Sequence, residues 1–426
     1  MNGVRPLRAY AEVSLGRQRS PEHAAGPFMV PYLRAANVTD GKLLLDDVFE
    51  MNFTPEEQAV FALRPGDVLV TEGSGSLRSV GASAVWNGDL PGLYCFQNTL
   101  LRLRPRGDTD PRFLAWWCRY AFASGEFASI ATGANIFHLS AERVRSLPMV
   151  YVTSKQQRSI AEYLDRETAR IDALITARRQ QADHLRERWQ LVMQHGVAGR
   201  LANSIDFRPT AIPWLMEVPE HWREAELKLL ARLGSGHTPS RSHPEWWVDL
   251  TIPWITTGEV AQMRSDDIEF ITATRERISE LGMANSSATL HPAGTVVLCR
   301  TASAGYSAIM GIEMATSQDF ATWTCGPLLR PRFLLLCLRA MRQDLLGRLA
   351  MGSTHKTIYM PDIERIKVPL PPIGEQDAIV EEVWARHRPL RAALEALDHQ
   401  IKLLRERRHA LITATVTGDL PISVPA

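Results

Sequence analysis

Two short segments carry the most chemistry. Gly133-Ala134-Asn135-Ile136-Phe137-His138 and Gly352-Ser353-Thr354-His355-Lys356-Thr357-Ile358-Tyr359 set amide, imidazole, hydroxyl and ammonium groups beside glycine. Groups of these types, on loops whose glycines allow close approach, suit hydrogen bonding to base edges and phosphates. Arginine pairs with guanine, and asparagine or glutamine with adenine. On that chemistry the first half offers Arg17, Arg19, Arg34, Asn37, Arg78, Asn135 and His138. The second half offers His237, Arg241, Thr256, Arg300, Thr301, Ser303, Thr354, His355, Lys356 and Tyr359. Any one of them alone reads as an ordinary surface polar group.

Bond-making chemistry has no comparable signal. Gly73-Ser74-Gly75-Ser76 is followed by no Lys-Ser/Thr and fits no GxGxxG pattern, so it cradles no phosphate or dinucleotide and reads as a turn. Methyl transfer to adenine needs an Asn/Asp-Pro-Pro-aromatic tetrapeptide, whereas the double proline Pro371-Pro372 is followed by Ile373. No HExxH and no Cys/His ligand spacing occurs. Asp206 with Glu226 and Lys228 mimics a nuclease carboxylate–carboxylate–lysine set, but nothing frames Asp206, and these read as solvated charges. Trp116, Trp117, Trp246 and Trp247 read as core or partner-facing residues rather than base-stacking platforms.

The elements that must position these loops come in two copies. Residues 156–201 lie over residues 375–420 without a gap: Gln157 meets Gln376, Ile160 meets Ile379, Glu162 meets Glu381 and Leu185 meets Leu404. The two glycine loops fall at equivalent places. Looser matches precede the helices, Pro31–Val38 with Pro253–Val260, Leu63–Val70 with Leu290–Leu298, and Pro111–Leu114 with Pro331–Leu334. They are short β-type runs punctuated by Gly and Pro, with helical stretches near 112–123 and 332–349. A duplicated unit suggests pseudo-two-fold symmetry, which suits a target with two halves, such as duplex DNA.

Each copy ends in a long helix with a heptad stripe. The first stripe is Leu164, Thr168, Ile171, Ile175, Arg178, Ala182, Leu185, Trp189, Val192, and the second is Val383, His387, Leu390, Leu394, Leu397, Ile401, Leu404, Arg408, Leu411. The alternating spacing of four and three is the coiled-coil period. A stripe so narrow needs a partner, and high effective concentration makes the other copy the natural one. Arg178 and Arg408 interrupt the stripes at different heights, which fixes register, and Pro389 predicts a kink or break in the second helix.

Composition bounds the rest. The 426 residues suggest two to four domains, and 45% hydrophobic with 22% charged residues is ordinary for a folded soluble chain. A net charge of +1 is low for gripping DNA unaided, so either the cations cluster or a partner supplies phosphate contacts. Five cysteines with no CxxC pair read as reduced, partly buried thiols. No apolar run reaches membrane-spanning length, and no signal peptide opens the chain.

Ile212-Pro213-Trp214-Leu215-Met216-Glu217-Val218-Pro219-Glu220-His221-Trp222, Leu370-Pro371-Pro372-Ile373-Gly374-Glu375-Gln376 and the helix ending Thr417-Gly418-Asp419-Leu420 resemble the DNA specificity subunit of type I restriction–modification systems. With the repeat, the resemblance covers nearly the whole chain. The first half lacks the tryptophan-rich leader and the double proline, and is expected to be a drifted but working domain.

The resemblance implies an α+β fold. It has two target recognition domains, residues 1–153 and 202–374, each followed by a long helix, residues 154–201 and 375–420, with a tail at 421–426. The helices form an antiparallel coiled coil through Leu164, Ile171, Ile175, Leu185, Trp189, Leu390, Leu394, Leu397, Ile401 and Leu404. It further implies a cytoplasmic, non-catalytic protein bound to double-stranded DNA, two methyltransferase subunits and restriction/translocase subunits. S-adenosylmethionine, ATP and Mg would belong to those partners. The alternatives are a specificity protein of another methylase system, a fused methyltransferase–specificity protein and a protein-only coiled-coil scaffold.

Overall fold

The computed structural model describes residues 3–88, 90–201, 206–352 and 356–422, so the candidates Thr354 and His355 lie outside the described residues. The chain is a mixed α/β protein with two compact units, Met1–Arg179 with His399–Ala426 and Gln180–Asp398.

In the first unit, strands β1 (Ala11–Leu15), β2 (Met29–Leu33), β3 (Phe49–Asn52), β4 (Asp67–Thr71), β5 (Ser83–Trp86), β6 (Cys95–Phe96) and β7 (Leu100–Pro105) precede helix α1 (Pro111–Ala123). They form an antiparallel sheet in the order β1-β7-β4-β5. In a second sheet β2 lies between β6, parallel to it, and β3, antiparallel. β4 is buried along its whole length, as expected of a central strand covered on both faces. α1 starts where Asp110 accepts from the amides of Arg112 and Phe113, with Pro111 in the first turn. It packs Phe113, Leu114, Trp117 and Ala121 into the core. The helix α2 (Ser154–Val197) follows, capped by the reciprocal pair Thr153 and Gln156.

The second unit has the same order with one strand more. Its strands are β8 (Ala231–Ser235), β9 (Ile252–Ile255), β10 (Phe270–Ile271), β11 (Glu276–Ile278), β12 (Val296–Cys299), β13 (Ser307–Met310), β14 (Ala315–Thr316) and β15 (Phe320–Cys325), followed by α3 (Pro331–Ala340). One sheet runs β8-β15-β12-β13-β10, its first four strands matching β1-β7-β4-β5 in direction and order. In the other, β9 lies between parallel β14 and antiparallel β11, as β2 lies between β6 and β3. The long helix α4 (Ile373–Thr417) begins right after Pro371-Pro372.

The two glycines at the ends of β1 and β8 show why both copies need them. A Cβ on Gly16 would lie 2.2 Å from the Gln97 carbonyl oxygen, and one on Gly236 would lie 1.9 Å from that of Thr316. The chain crosses backbone against backbone there, which leaves no room for a side chain.

Each heptad position of the two stripes is buried or half-buried. Within the first unit, Ile171 and Ile175 of α2 share a buried cluster with Ile401 of α4, and Leu404 and Leu411 pack against it. Arg408 donates to Asp172 at 2.7 Å, and Leu164 shares the domain core with Ile412 and Val416. Burying one such side chain contributes about 1.5–3 kcal/mol. Within the second unit, Trp189 meets His387 at 4.1 Å and Trp384 at 5.7 Å, and Gly196 meets Val383. Leu185 and Leu390 join that core, Leu397 is buried and Leu394 half-buried. In each unit the two helix segments therefore run antiparallel.

The sequence divides the chain into domains and separate helices, whereas packing divides it through both helices. A lone helix has no core of its own, so each segment is counted with the sheet domain its stripe packs against. Of the kink or break expected at Pro389, the break does not occur: α4 is continuous from Ile373 to Thr417. Pro389 is exposed, and so is Ala385, whose carbonyl loses its helical donor to the proline. Water can satisfy that carbonyl, which makes the proline tolerable.

Candidate nucleic-acid interface

In the second unit four segments meet at the end of the sheet where β8 and β12 terminate. The His237 amide donates to the Thr316 carbonyl at 3.0 Å, and the Arg300 amide to the Asp319 carbonyl at 2.8 Å. The Ile358 amide donates to the Arg300 carbonyl at 2.8 Å, which brings Tyr359 to the same place. The turn Ser317–Asp319 lies between them. Asp319 accepts from the hydroxyls of Thr301 and Ser317, so its carboxylate is committed within the turn. Thr238 donates to the Gln318 side-chain oxygen at 2.7 Å, and Arg300 Nε donates to the Gln318 carbonyl at 2.9 Å. His237, Gln318 and Tyr359 are exposed, while Thr301 and Ser303 are half-buried. Between them Ala302 adopts a φ of 56°, a strained value for a residue with a Cβ.

The first unit repeats this arrangement with other side chains. The Arg17 amide donates to the Phe96 carbonyl, the Glu72 amide to Thr99 and the Leu139 amide to Glu72. Glu72 thus stands where Arg300 stands, and Asn98 where Gln318 stands. The short strands Gly73–Ser74 and Phe137–His138 pair, which brings the glycine-serine turn with Arg78 against the Asn135–His138 loop. Glu72 faces His138 Nδ1 at 3.1 Å. Each glycine loop is pinned at its base by one bridge, Thr132 to His138 and Met351 to Thr357. The spacing is the same in both, as the sequence comparison implied.

Several candidates turn inward rather than toward a ligand. Arg17 is buried, donating to Glu57 at 2.6 Å and to the Asn52 carbonyl at 2.8 Å. Asn37 is buried too; it donates to the carbonyls of Leu44 and Asp47 and accepts from the Arg34 amide. Arg34 is held by Asp47 and lies over the Phe49 ring. These three tie residues 34–53 to the domain. A polar letter in a loop gives no sign of whether it bonds its own chain or points outward. Thr256 caps a short turn, accepting from the Gly258 amide. Arg241 lies apart, over Trp247 and 3.6 Å from Glu276. Lys356 donates to the Leu346 carbonyl at 3.1 Å. Arg19, Arg78 and Asn135 are exposed. The sequence reading missed Asn98, Gln318 and Thr238, because the turn that presents them is defined only by strand pairing.

Trp116 and Trp117 are buried, and Trp246 and Trp247 are half-buried, with Trp246 stacked on His243. Lys228 pairs with its neighbour Glu226 at 2.8 Å, while the Asp206 carbonyl accepts from the Glu220 amide. Burial pushes the thiols of Cys95 and Cys325 up to about 12 and that of Cys299 to about 11, and raises Cys118 and Cys337 as well. None is a thiolate nucleophile at neutral pH. Among the described residues no group of three His, Cys, Asp or Glu is placed to hold a metal, and no helix is long and apolar enough to cross a membrane.

The tryptophan-rich leader is a joint. Trp222 Nε1 donates to Glu375 at 2.8 Å, His221 faces the same carboxylate at 2.9 Å, and Trp214 Nε1 donates to the Lys367 carbonyl. Residues 219–383, which include Trp222, Glu375 and the second interface, match the model of the type I restriction modification DNA specificity domain. The chain is similar to type I DNA specificity subunits. It is 28% identical over 188 residues to the type I restriction enzyme StySPI specificity subunit of Salmonella potsdam, 43% of this chain and 39% of that one. It is 24% identical over 376 residues to the EcoKI specificity subunit of Escherichia coli K12, 83% of this chain and 74% of that one. The chain spans 39% and 37% of the length of the first two curated relatives it matches. Its fold resembles a chain from a structure of the type I R-M system, at a TM-score of 0.71, 18% identity and 98% coverage of each. The HsdS subunit from Thermoanaerobacter tengcongensis gives 0.51 at 18% identity, covering 98% of this chain and 97% of that one.

Proposed function

We propose that this chain is the DNA specificity subunit of a type I restriction–modification complex. Each sheet unit is a target recognition domain reading one half of a bipartite, asymmetric site. The carrying observation is one backbone arrangement presented twice with different side chains, Glu72 and Asn98 in one copy and Arg300 and Gln318 in the other. A shared scaffold with unlike loops is what two readers of two sequences require.

In this reading the helices α2 and α4 form one antiparallel coiled coil, give the molecule its pseudo-two-fold repeat and act as the spacer between half-sites. They also dock two methyltransferase subunits, to which restriction/translocase subunits attach. The chain itself is non-catalytic and cytoplasmic. S-adenosylmethionine, ATP and Mg act in the partners.

The test is a map of methylated adenines in cells carrying a lengthened spacer. Four residues inserted after Arg179 and four before His399 extend each helix by about 6 Å. That is slightly under two base pairs at roughly 3.4 Å each. The spacer should grow by one or two base pairs with both half-sites unchanged. An unchanged spacer in an active complex would show that the helices do not set the distance.

A further inference from the structure

The turn Ser317–Asp319 brings together Gln318 and Arg300, side chains of types that can pair with purines. Gln318 is exposed, and Thr238 Oγ1 donates to its amide oxygen at 2.7 Å, which orients the amide. That oxygen keeps a second lone pair, and the amide nitrogen keeps both protons. The pair that remains, one acceptor beside one donor, matches N6 and N7 of adenine. Arg300 is oriented by the same residue: its Nε donates to the Gln318 carbonyl at 2.9 Å, leaving the two terminal nitrogens for O6 and N7 of guanine. No ion pair joins Arg300 to Asp319, whose carboxylate accepts from the hydroxyls of Thr301 and Ser317.

We propose that Gln318 and Arg300 are specificity-determining residues that read adjacent purines, adenine by Gln318 and guanine by Arg300, with Thr238 as the positioning residue for the amide. The inference rests on the reading of this unit as a DNA recognition domain. The first unit carries Asn98 and Glu72 at the same backbone positions, and Glu72 is an acceptor facing His138 rather than a donor. At this position, therefore, only the second unit presents a donor for guanine.

The experiment uses the full chain expressed with its methyltransferase subunits, and maps methylated adenines genome-wide. The wild-type half-site of the second unit should contain neighbouring guanine and adenine on one strand. Gln318→Ala should relax the adenine position alone, with a loss of discrimination of roughly 5- to 150-fold, and leave the other half-site intact. Arg300→Ala should relax the guanine position. Thr238→Val should loosen the adenine position, and Thr238→Ser should restore it, which a merely structural threonine would not predict. A wild-type map from Gln318→Ala, or a half-site without adjacent purines, overturns the assignment while leaving the recognition function standing. Absence of any patterned methylation with the unaltered chain overturns both.

Discussion

The Arg330 amide donates to the side-chain oxygen of Gln376 at 2.8 Å, locking the start of α3 onto the first turn of α4. The Asp110 amide donates to Gln157 in the same way at 2.9 Å, at the start of α1 and α2. Gln376 also donates to the carbonyls of Leu328 and Pro371, and Gln157 to that of Val152. Both glutamines are buried. The glutamine shared by the two copies is thus the bolt between a recognition domain and its helix.

Gln376→Ala strands one amide and two carbonyls in the interior, and should cost about 2–4 kcal/mol. Gln157→Ala strands one of each and should cost roughly 1–3 kcal/mol. Denaturant unfolding of the two variants measures both. Equal, negligible losses would show that water replaces the side chain.

The helix seam and its ion pair should differ in weight. Ile401→Ala opens a cavity beside Ile171 and Ile175 and should destabilise the first unit by about 2–3 kcal/mol. Arg408→Ala removes an ion pair to half-exposed Asp172, worth about 0–1 kcal/mol. Thermal melts would show the reverse order if the pair, rather than the seam, held the segments.

Arg78 and Lys356 separate phosphate grip from loop support. Arg78 is exposed on the glycine-serine turn, and Arg78→Ala should weaken binding of every duplex alike and flatten the salt slope by about 1. Lys356 is tethered to the Leu346 carbonyl, so Lys356→Ala should change the slope less. Titrations of the assembled complex at several salt concentrations decide this; equal slopes in wild type and Arg78→Ala would remove that turn from the interface.

The second unit should be acid-sensitive. Burial holds His291 and His387 below the ordinary imidazole range, although Asp267 beside His387 pulls the other way. A depressed imidazole stays neutral in the fold while the unfolded chain takes up the proton. Its stability contribution is complete above the ordinary range and is lost as pH falls through the folded value. The melting temperature of this unit should fall between about pH 7 and pH 5. The double variant His291→Asn, His387→Asn should show a shallower fall, measured by calorimetry at constant salt. An equally steep fall in that variant would assign the acid sensitivity to other groups.

Local periodicity is legible in the sequence. Each position of the heptad stripes between Leu164 and Leu411 is buried or half-buried, and the matched loops at Gly133 and Gly352 hang from equivalent bridges. Such features depend on spacing along one chain, so they are legible in letters. Burial of a polar side chain is not. Arg17 and Asn37 have the composition of base readers, but Glu57 and the carbonyls around Asp47 claim them. Gln318 looked unremarked in sequence, because its turn exists only once β14 and β15 are paired with strands far away in the chain. Pro389 predicts a kink or break, yet α4 runs on through it, with the orphaned Ala385 carbonyl on the wet side of the helix. In each case the deciding quantity is which partner, protein or water, meets a hydrogen-bonding group, and only the tertiary structure supplies that partner.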